Sequence, residues 1–167
     1  SISTLIINGL EDSLNSNEYQ NLKNYIDNGG NLLIGQGRVS VDIQTQQAKP
    51  IDSNIFSFLE EYGLNIEENL VLDKSCGKVN VQQNMGIFRM AVPMDYPFIP
   101  IIKNFNSVEI IVSGIEQYQV LFPSEIRIDT LVSSYTTLFP LLTSSNRSTT
   151  MSGVYNLNPD PKANPFF

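Results

Sequence analysis

The sequence predicts a single α/β domain: a three-layer fold with a mostly parallel central sheet, helices on its faces and extra β segments in the second half. Three observations carry this expectation. A chain of 167 residues and 18.7 kDa is long enough for one well-packed domain and short for two. Its first half alternates strand and helix patterns around a helix–Gly-Gly–strand junction. Its second half loses the helical period and breaks into short apolar runs punctuated by Gly, Pro and Asn. The domain is expected over residues 1–155, with the Pro/Asn-rich stretch 156–167 as a tail or linker.

Thr4-Leu-Ile-Ile7 reads as a buried strand closed by Asn8-Gly9. Asn15, with Glu18 three residues later, has the spacing of a capping box, in which each side chain satisfies the other residue's free N–H. Tyr19, Leu22, Tyr25 and Ile26 then recur at helical spacing until Gly29-Gly30, which tolerates the left-handed turn that stops a helix. Asn31-Leu-Leu-Ile-Gly35 follows as a second buried strand. This is a βαβ pattern, which implies parallel pairing through a right-handed crossover. Residues 36–53 are polar and irregular and read as a long exposed loop. A second helix is expected from Asp52 or Ser53, with Ile55, Phe56 and Leu59 on its apolar face and Tyr62-Gly63 at its end. Leu70-Val-Leu-Asp73 is a third strand.

Further strands are expected at Val79–Gln82, Ile87–Val92, Val108–Val112, Tyr118–Phe122 and Ile126–Val132, extending the same sheet. Pro93, Pro97 and Pro100 mark residues 93–100 as extended but poorly paired, because proline brings no ladder donor.

The chain contains no histidine and one cysteine, Cys76. Histidine is the side chain that most often serves as general base and metal ligand at neutral pH. Ser-His-Asp and Cys-His catalysis within this chain are therefore excluded, as are the common zinc sites. The formal charge of −7 and the scattering of the cations exclude a nucleic-acid partner and a polybasic contact with lipid. The acidic residues lack calcium-loop spacing, and no motif calls for a metal or a cofactor. The pairs Glu60-Glu61 and Glu67-Glu68 diverge in direction, as neighbours on one element do, and read as solvated surface. Cys76, between Lys74 and Lys78, reads as a turn cysteine; activation by the two cations is the functional alternative.

Two segments offer binding residues. Gln36, Gly37 and Arg38 follow the second strand at its carboxyl end, where open α/β sheets receive ligands. Glycine there admits a ligand close to the backbone, and Arg38 is suited to a carboxylate or phosphate. Tyr96 and Phe98, on the proline-stiffened segment, are expected as part of a strap over the sheet or as a recognition edge. Phe88, Met90 and Val92 alternate as one strand face does and are expected in the core, with an adaptable apolar surface as the alternative.

Four blocks carry a resemblance: Tyr25-Ile-Asp-Asn-Gly-Gly-Asn-Leu-Leu-Ile34; Phe58-Leu-Glu-Glu-Tyr-Gly-Leu64 leading into Asn69-Leu-Val-Leu-Asp73; Asp95-Tyr-Pro-Phe-Ile-Pro100; and Leu141-Leu-Thr-Ser-Ser145. In this order they resemble the soluble domain of the auxiliary, gliding-associated substrate-binding protein of gliding-motility-type ABC transporters. The resemblance implies a flavodoxin-like, class I glutamine-amidotransferase-like fold, as in a related domain of an intraflagellar-transport protein. It implies ABC permease and ATPase partners, an extracytoplasmic (periplasmic) location, and membrane attachment through segments outside this fragment. It brings no catalytic residue, and Cys76 lies outside any glycine-rich nucleophile elbow. The expected function is a non-catalytic interaction or ligand-capture domain. The alternative is a carboxylate-dependent hydrolase or carbohydrate-active domain, which requires two acids converging across a cleft.

Overall fold

The first βαβ unit forms as its sequence dictates. In the computed structural model, which describes residues 2–85, 88–129, 136–160 and 162–164, β1 (Thr4–Asn8) and β2 (Asn31–Gly35) pair in parallel. Between them runs α1 (Ser16–Asp27). Asn15 Oδ1 accepts from the N–H groups of Asn17 and Glu18 at 3.0 Å, and the Glu18 carboxylate accepts from Asn15 N–H at 2.9 Å. The capping box is complete. At the other end Gly29 takes φ +81°, Gly29 N–H donates to Ile26 O at 2.8 Å, and Gly30 N–H donates to Tyr25 O at 2.9 Å. Those two bonds are the left-handed helix stop that glycine favours.

α2 (Ile55–Glu60) buries Ile55, Phe56, Phe58 and Leu59, and Gly63 at φ +81° follows it. With Leu22 and Ile66 these residues make one core cluster, against which Leu5, Ile7, Leu32 and Ile34 pack from the inner faces of β1 and β2. Period two then sends Ile6 and Leu33 to the outer face, where both are exposed, so the two strands expected to be buried are buried on one face only.

Beyond this unit the expected fold class is corrected. The chain is mostly β, with α1 and α2 as its two α-helices and β1–β2 as its one parallel pair among the described residues. The other pairings are antiparallel and lie in small two- and three-stranded sheets, so the mostly parallel, flavodoxin-like three-layer sheet is not formed. The physical reason is connectivity. Parallel strands need a crossover of about a dozen residues or more, usually a helix, and after α2 no further segment has the helical period to supply one. The later strands pair antiparallel instead, two pairs as hairpins and others across long sequence separations.

The expected loop at residues 36–53 holds such a pair. β3 (Val39–Asp42) and β4 (Gln47–Pro50) are antiparallel, and the Asp42 carboxylate accepts from the N–H groups of Gln44 and Thr45 to fold the turn. The alternation of Val39 and Val41 with Ser40 and Asp42 was the signal for a strand. β5 (Leu64–Ile66) pairs with β11 (Ile126–Ile128), and β6 (Asn69–Asp73) with β13 (Ser148–Ser152). β7 (Cys76–Met85) and β8 (Phe88–Ile102) form a long hairpin; Ile87, expected to begin the second of these strands, lies outside the described residues. Residues 93–96 and Pro100 are thus paired with β7. Residues 97–99 fall in a register shift and have no partner on that strand, so the poorly paired stretch expected over 93–100 is confined to them. Pro93 is admitted because β8 is an edge strand there. Further along, β10 (Tyr118–Gln119) pairs with Ile101 and Ile102, and Val120 and Phe122 donate to Pro100 O and Phe98 O, bonds that need no proline N–H.

Two other expected strands are also corrected. Val108–Val112 contains a 3-10 turn at Ile110–Val112, and the strand expected over Tyr118–Phe122 stops at Gln119. The strand expected over Ile126–Val132 runs to Ile128, and its last residues lie outside the described ones. β9 (Asn104–Phe105) pairs with β12 (Leu142–Thr143).

The β strands surround a second core cluster of Val39, Leu70, Leu72, Tyr96, Phe98, Ile99, Met151 and Leu157. Leu157 belongs to this cluster, and the fully buried Asn164 donates from Nδ2 to Asn156 O at 2.7 Å. Asp73, 1% exposed, pins the end of β6 by accepting from Ser75 N–H at 2.8 Å, Ser145 N–H at 2.7 Å and the Ser145 hydroxyl at 2.6 Å.

Candidate functional site

A groove of about 640 Å³ opens where the two halves meet. One wall is the carboxyl end of the parallel pair, Asn8 and Gly35, followed by Gln36 and Gly37. The other is built from residues 120–126 and 142–144, with Val71, Pro100 and Ile102 at the base. Its lining is mostly apolar, with Leu121 62%, Ile126 59% and Leu142 38% exposed. Asn8, Ser124, Thr143 and Ser144 add polar groups at the rim. Concave, largely apolar clefts with a few polar groups are where proteins hold ligands or partner segments.

The backbone of this wall is strained at one point. Phe122 holds φ +49°, a left-handed conformation that costs a bulky residue on the order of 1–3 kcal/mol. It is fixed there by its N–H donating to Phe98 O at 2.9 Å and by rings on either side, Phe98 stacked at 6.2 Å and Tyr96 edge-on at 6.2 Å. The core therefore holds the groove wall in shape.

The expected site residues divide. Gln36 and Gly37 line the groove. The Gln36 side chain is a latch: its amide nitrogen donates to Leu10 O and Gly37 O at 2.9 Å, and its oxygen accepts from Leu10 N–H at 2.8 Å. A Cβ on Gly37 would sit 3.8 Å from Phe122 O and Ser124 Oγ, ordinary contact, so glycine is not required there by space. Arg38 turns away from the groove. Its Nη1 donates to Ile66 O at 2.8 Å, its guanidinium lies 4.7 Å from the Phe56 ring centre, and Glu60 is 3.8 Å away. Arg38 braces α2 and β5, while its backbone N–H donates to Ser124 Oγ at 2.9 Å and ties the two walls together.

Tyr96 and Phe98 are 5% and 0% exposed and belong to the β core. The Tyr96 hydroxyl donates to Leu157 O at 2.8 Å, and burial pushes its pKa up to about 12. They act on the groove through Phe122, which sequence reasoning missed together with Leu121, Ser124 and Thr143. The one sequence cue was Phe122-Pro123 at the end of an apolar run.

Charge chemistry at the site is sparse. Among the described residues Glu125 is the one carboxylate lining the groove, and it is already engaged by Arg127 at 3.2 Å and Asn69 Nδ2 at 3.0 Å. These bonds, Arg127's foremost, hold it below the usual glutamate range, which keeps it ionised and unsuited to a general acid. Of the two acidic pairs, Glu61 bonds Lys23 and Tyr19, and Glu67 lies 3.5 Å from Arg127, the same guanidinium that engages Glu125. Among the described residues no cluster of three or more metal-type side chains occurs. Burial, then Asp95, pushes the Cys76 thiol up, opposite to the activation two lysines would give. Phe88 and Met90, expected in the core, are 67% and 53% exposed on the β7–β8 hairpin.

A model of the family described as an ABC-type uncharacterized transport system (ABC_transp_aux) matches residues 1–166. No curated protein sequence matches the chain. Among solved structures the mmIFT52 N-terminal domain is similar, with 17% identity and a TM-score of 0.56, over 88% of this chain and 54% of that one. The chain spans about half the length of that structure. At this identity the likeness concerns the fold alone, here the mostly β arrangement described above.

Proposed function

Since the chain belongs to the family of ABC-type uncharacterized transport systems, of which it is an auxiliary component, we propose that it works as a non-catalytic docking domain for the ABC permease and ATPase. The finer parts of this reading are an extracytoplasmic, periplasmic position and a role in gliding motility or secretion. They rest on the four sequence blocks quoted above. The observation that carries the docking role is the groove at the carboxyl ends of β1 and β2. Its exposed Leu121, Ile126 and Leu142 suit an apolar segment, and its fixed polar rim orients one. A groove with one carboxylate, already saturated by Arg127 and Asn69, favours binding over acid–base hydrolysis.

Co-purification tests this reading. Wild-type chain is expected to retain the permease and ATPase of its own transport system. Leu121→Asp, a substitution at an exposed position, is expected to lose them while keeping the wild-type melting temperature. Retention of both partners by Leu121→Asp and by Leu142→Asp would remove the groove from the function.

A further inference from the structure

The β7–β8 hairpin presents a strand edge with a defined chemistry. Beyond Asp95 its two strands pair, among the described residues, only with each other, from Val79 opposite Met94 to Met85 opposite Phe88. The hairpin is amphipathic. Val79, Val81, Val92 and Met94 are half-buried on one face, which continues to the exposed Met90 and Phe88. Lys78, Asn80, Gln82, Arg89, Ala91 and Pro93 occupy the other face and are exposed. Two strands without a third are marginal in water, and an unpaired edge is a template for another strand.

The two edges differ. Proline sits in a ladder with its N side facing outward, so Pro93 marks the outward-facing positions of β8 and obstructs that edge. In an antiparallel pair, opposite residues both turn their N–H and C=O groups either toward each other or away. Asn80, opposite Pro93, therefore points its N–H and C=O groups outward, and by period two so do Lys78 and Gln82. No proline obstructs the β7 edge, and no further strand pairs with it among the described residues.

Charge selects the occupant. The protein carries −7 overall, so two copies repel across most of their surfaces. Residues 79–94 contain no acidic residue and one cation, Arg89, and β7 beyond Lys78 is uncharged. This edge is where two copies approach with the least repulsion, and an antiparallel pair of identical edges sets Lys78 against neutral residues.

We propose that the free edge of β7 pairs antiparallel with the same edge of a second copy of this chain, joining two hairpins into a four-stranded sheet with a continuous apolar face. The interface is separate from the groove. Edge pairing buries little surface, so the dimer is reversible and concentration-dependent.

Sedimentation velocity on the purified chain over a concentration series, with residue-resolved amide hydrogen exchange, tests the pairing. The chain is expected to pass from monomer to dimer, and the amides of Lys78, Asn80 and Gln82 to gain protection as it does. Asn80→Pro and Gln82→Pro delete outward donors while sparing the ladder to β8, which uses the alternate residues. Each is expected to weaken dimerisation at least about tenfold, since a partner carbonyl is left unpaired, with an unchanged far-UV circular dichroism spectrum. A chain that stays monomeric throughout, or a dimer that both prolines leave intact, would overturn the proposal. Protection of those amides only on adding another protein or lipid vesicles would do the same. The wild-type exchange pattern decides the matter even if the proline variants fail to fold.

Discussion

The two core clusters of this protein are assembled by different means. The cluster around Leu22, Ile55, Phe56, Phe58 and Leu59 comes mainly from the first 66 residues, with elements joined by short connections. The cluster around Leu70, Tyr96, Phe98, Met151 and Leu157 is stitched together by pairings distant in sequence, such as β6 with β13. The groove lies on the seam. Its first wall is the end of a locally encoded βαβ unit; its second is a strained segment that the distant cluster holds in place. The comparison suggests that the site depends on both clusters, although none of its exposed lining belongs to either.

Truncating the two deepest rings tests that dependence and gives the largest effect. Phe98→Ala and Phe58→Ala remove side chains 0% and 1% exposed and are each expected to cost about 3–5 kcal/mol. Arg38 ties Ser124, on the groove's second wall, to Ile66 of the first cluster, so both variants should lower one shared calorimetric transition. Two separate transitions would show that the halves unfold independently. Phe98→Ala should also release Phe122 and weaken partner binding more than Phe58→Ala does.

A smaller effect isolates the first half. A Cβ on Gly30 would lie 2.4 Å from the Tyr25 ring, so Gly30→Ala is expected to cost about 1–3 kcal/mol in urea titration and leave the groove's partner affinity unchanged. Tyr96→Phe isolates the second half. It removes the hydroxyl bond to Leu157 O and should cost about 1 kcal/mol.

The smallest effect is a pH dependence confined to the first half. The Glu61 carboxyl is held below its ordinary value of 4.5, by the bond from Lys23 first and from Tyr19 second. A depressed folded-state pKa stabilises the protein above the unfolded value, and that contribution is lost as pH falls through the lower, folded value. The pair is partly exposed and screened, so Glu61→Gln should lower stability slightly at neutral pH. It should also flatten the acid side of the melting-temperature profile between pH 5 and the folded pKa.

Legibility in the sequence follows the same division. The capping box at Asn15 and Glu18 and the glycine stop at Gly29 depend on neighbours a few residues apart, and the parallel pairing of β1 with β2 follows from the single helix that joins them; each was readable. The expectation then failed by extrapolation: one βαβ unit was extended into a parallel sheet that lacked crossover helices. Val39 to Pro50 showed strand alternation but was masked by its polar composition. Gln36 and Gly37 could be placed at the groove because strand ends receive ligands in this kind of unit. Arg38 could not be assigned, because its partners Phe56, Glu60 and Ile66 are up to 28 residues away. Phe122 needed the distant Phe98 and Tyr96 to explain its conformation, and nothing local announces those contacts.

Hydrogen exchange on the chain with and without its detergent-solubilised permease and ATPase tests the central claim most directly. Docking in the groove predicts added protection at residues 35–37, 120–126 and 142–144, drawn from both halves at once. Protection confined to one half, or none along the groove while the partners remain bound, would contradict it.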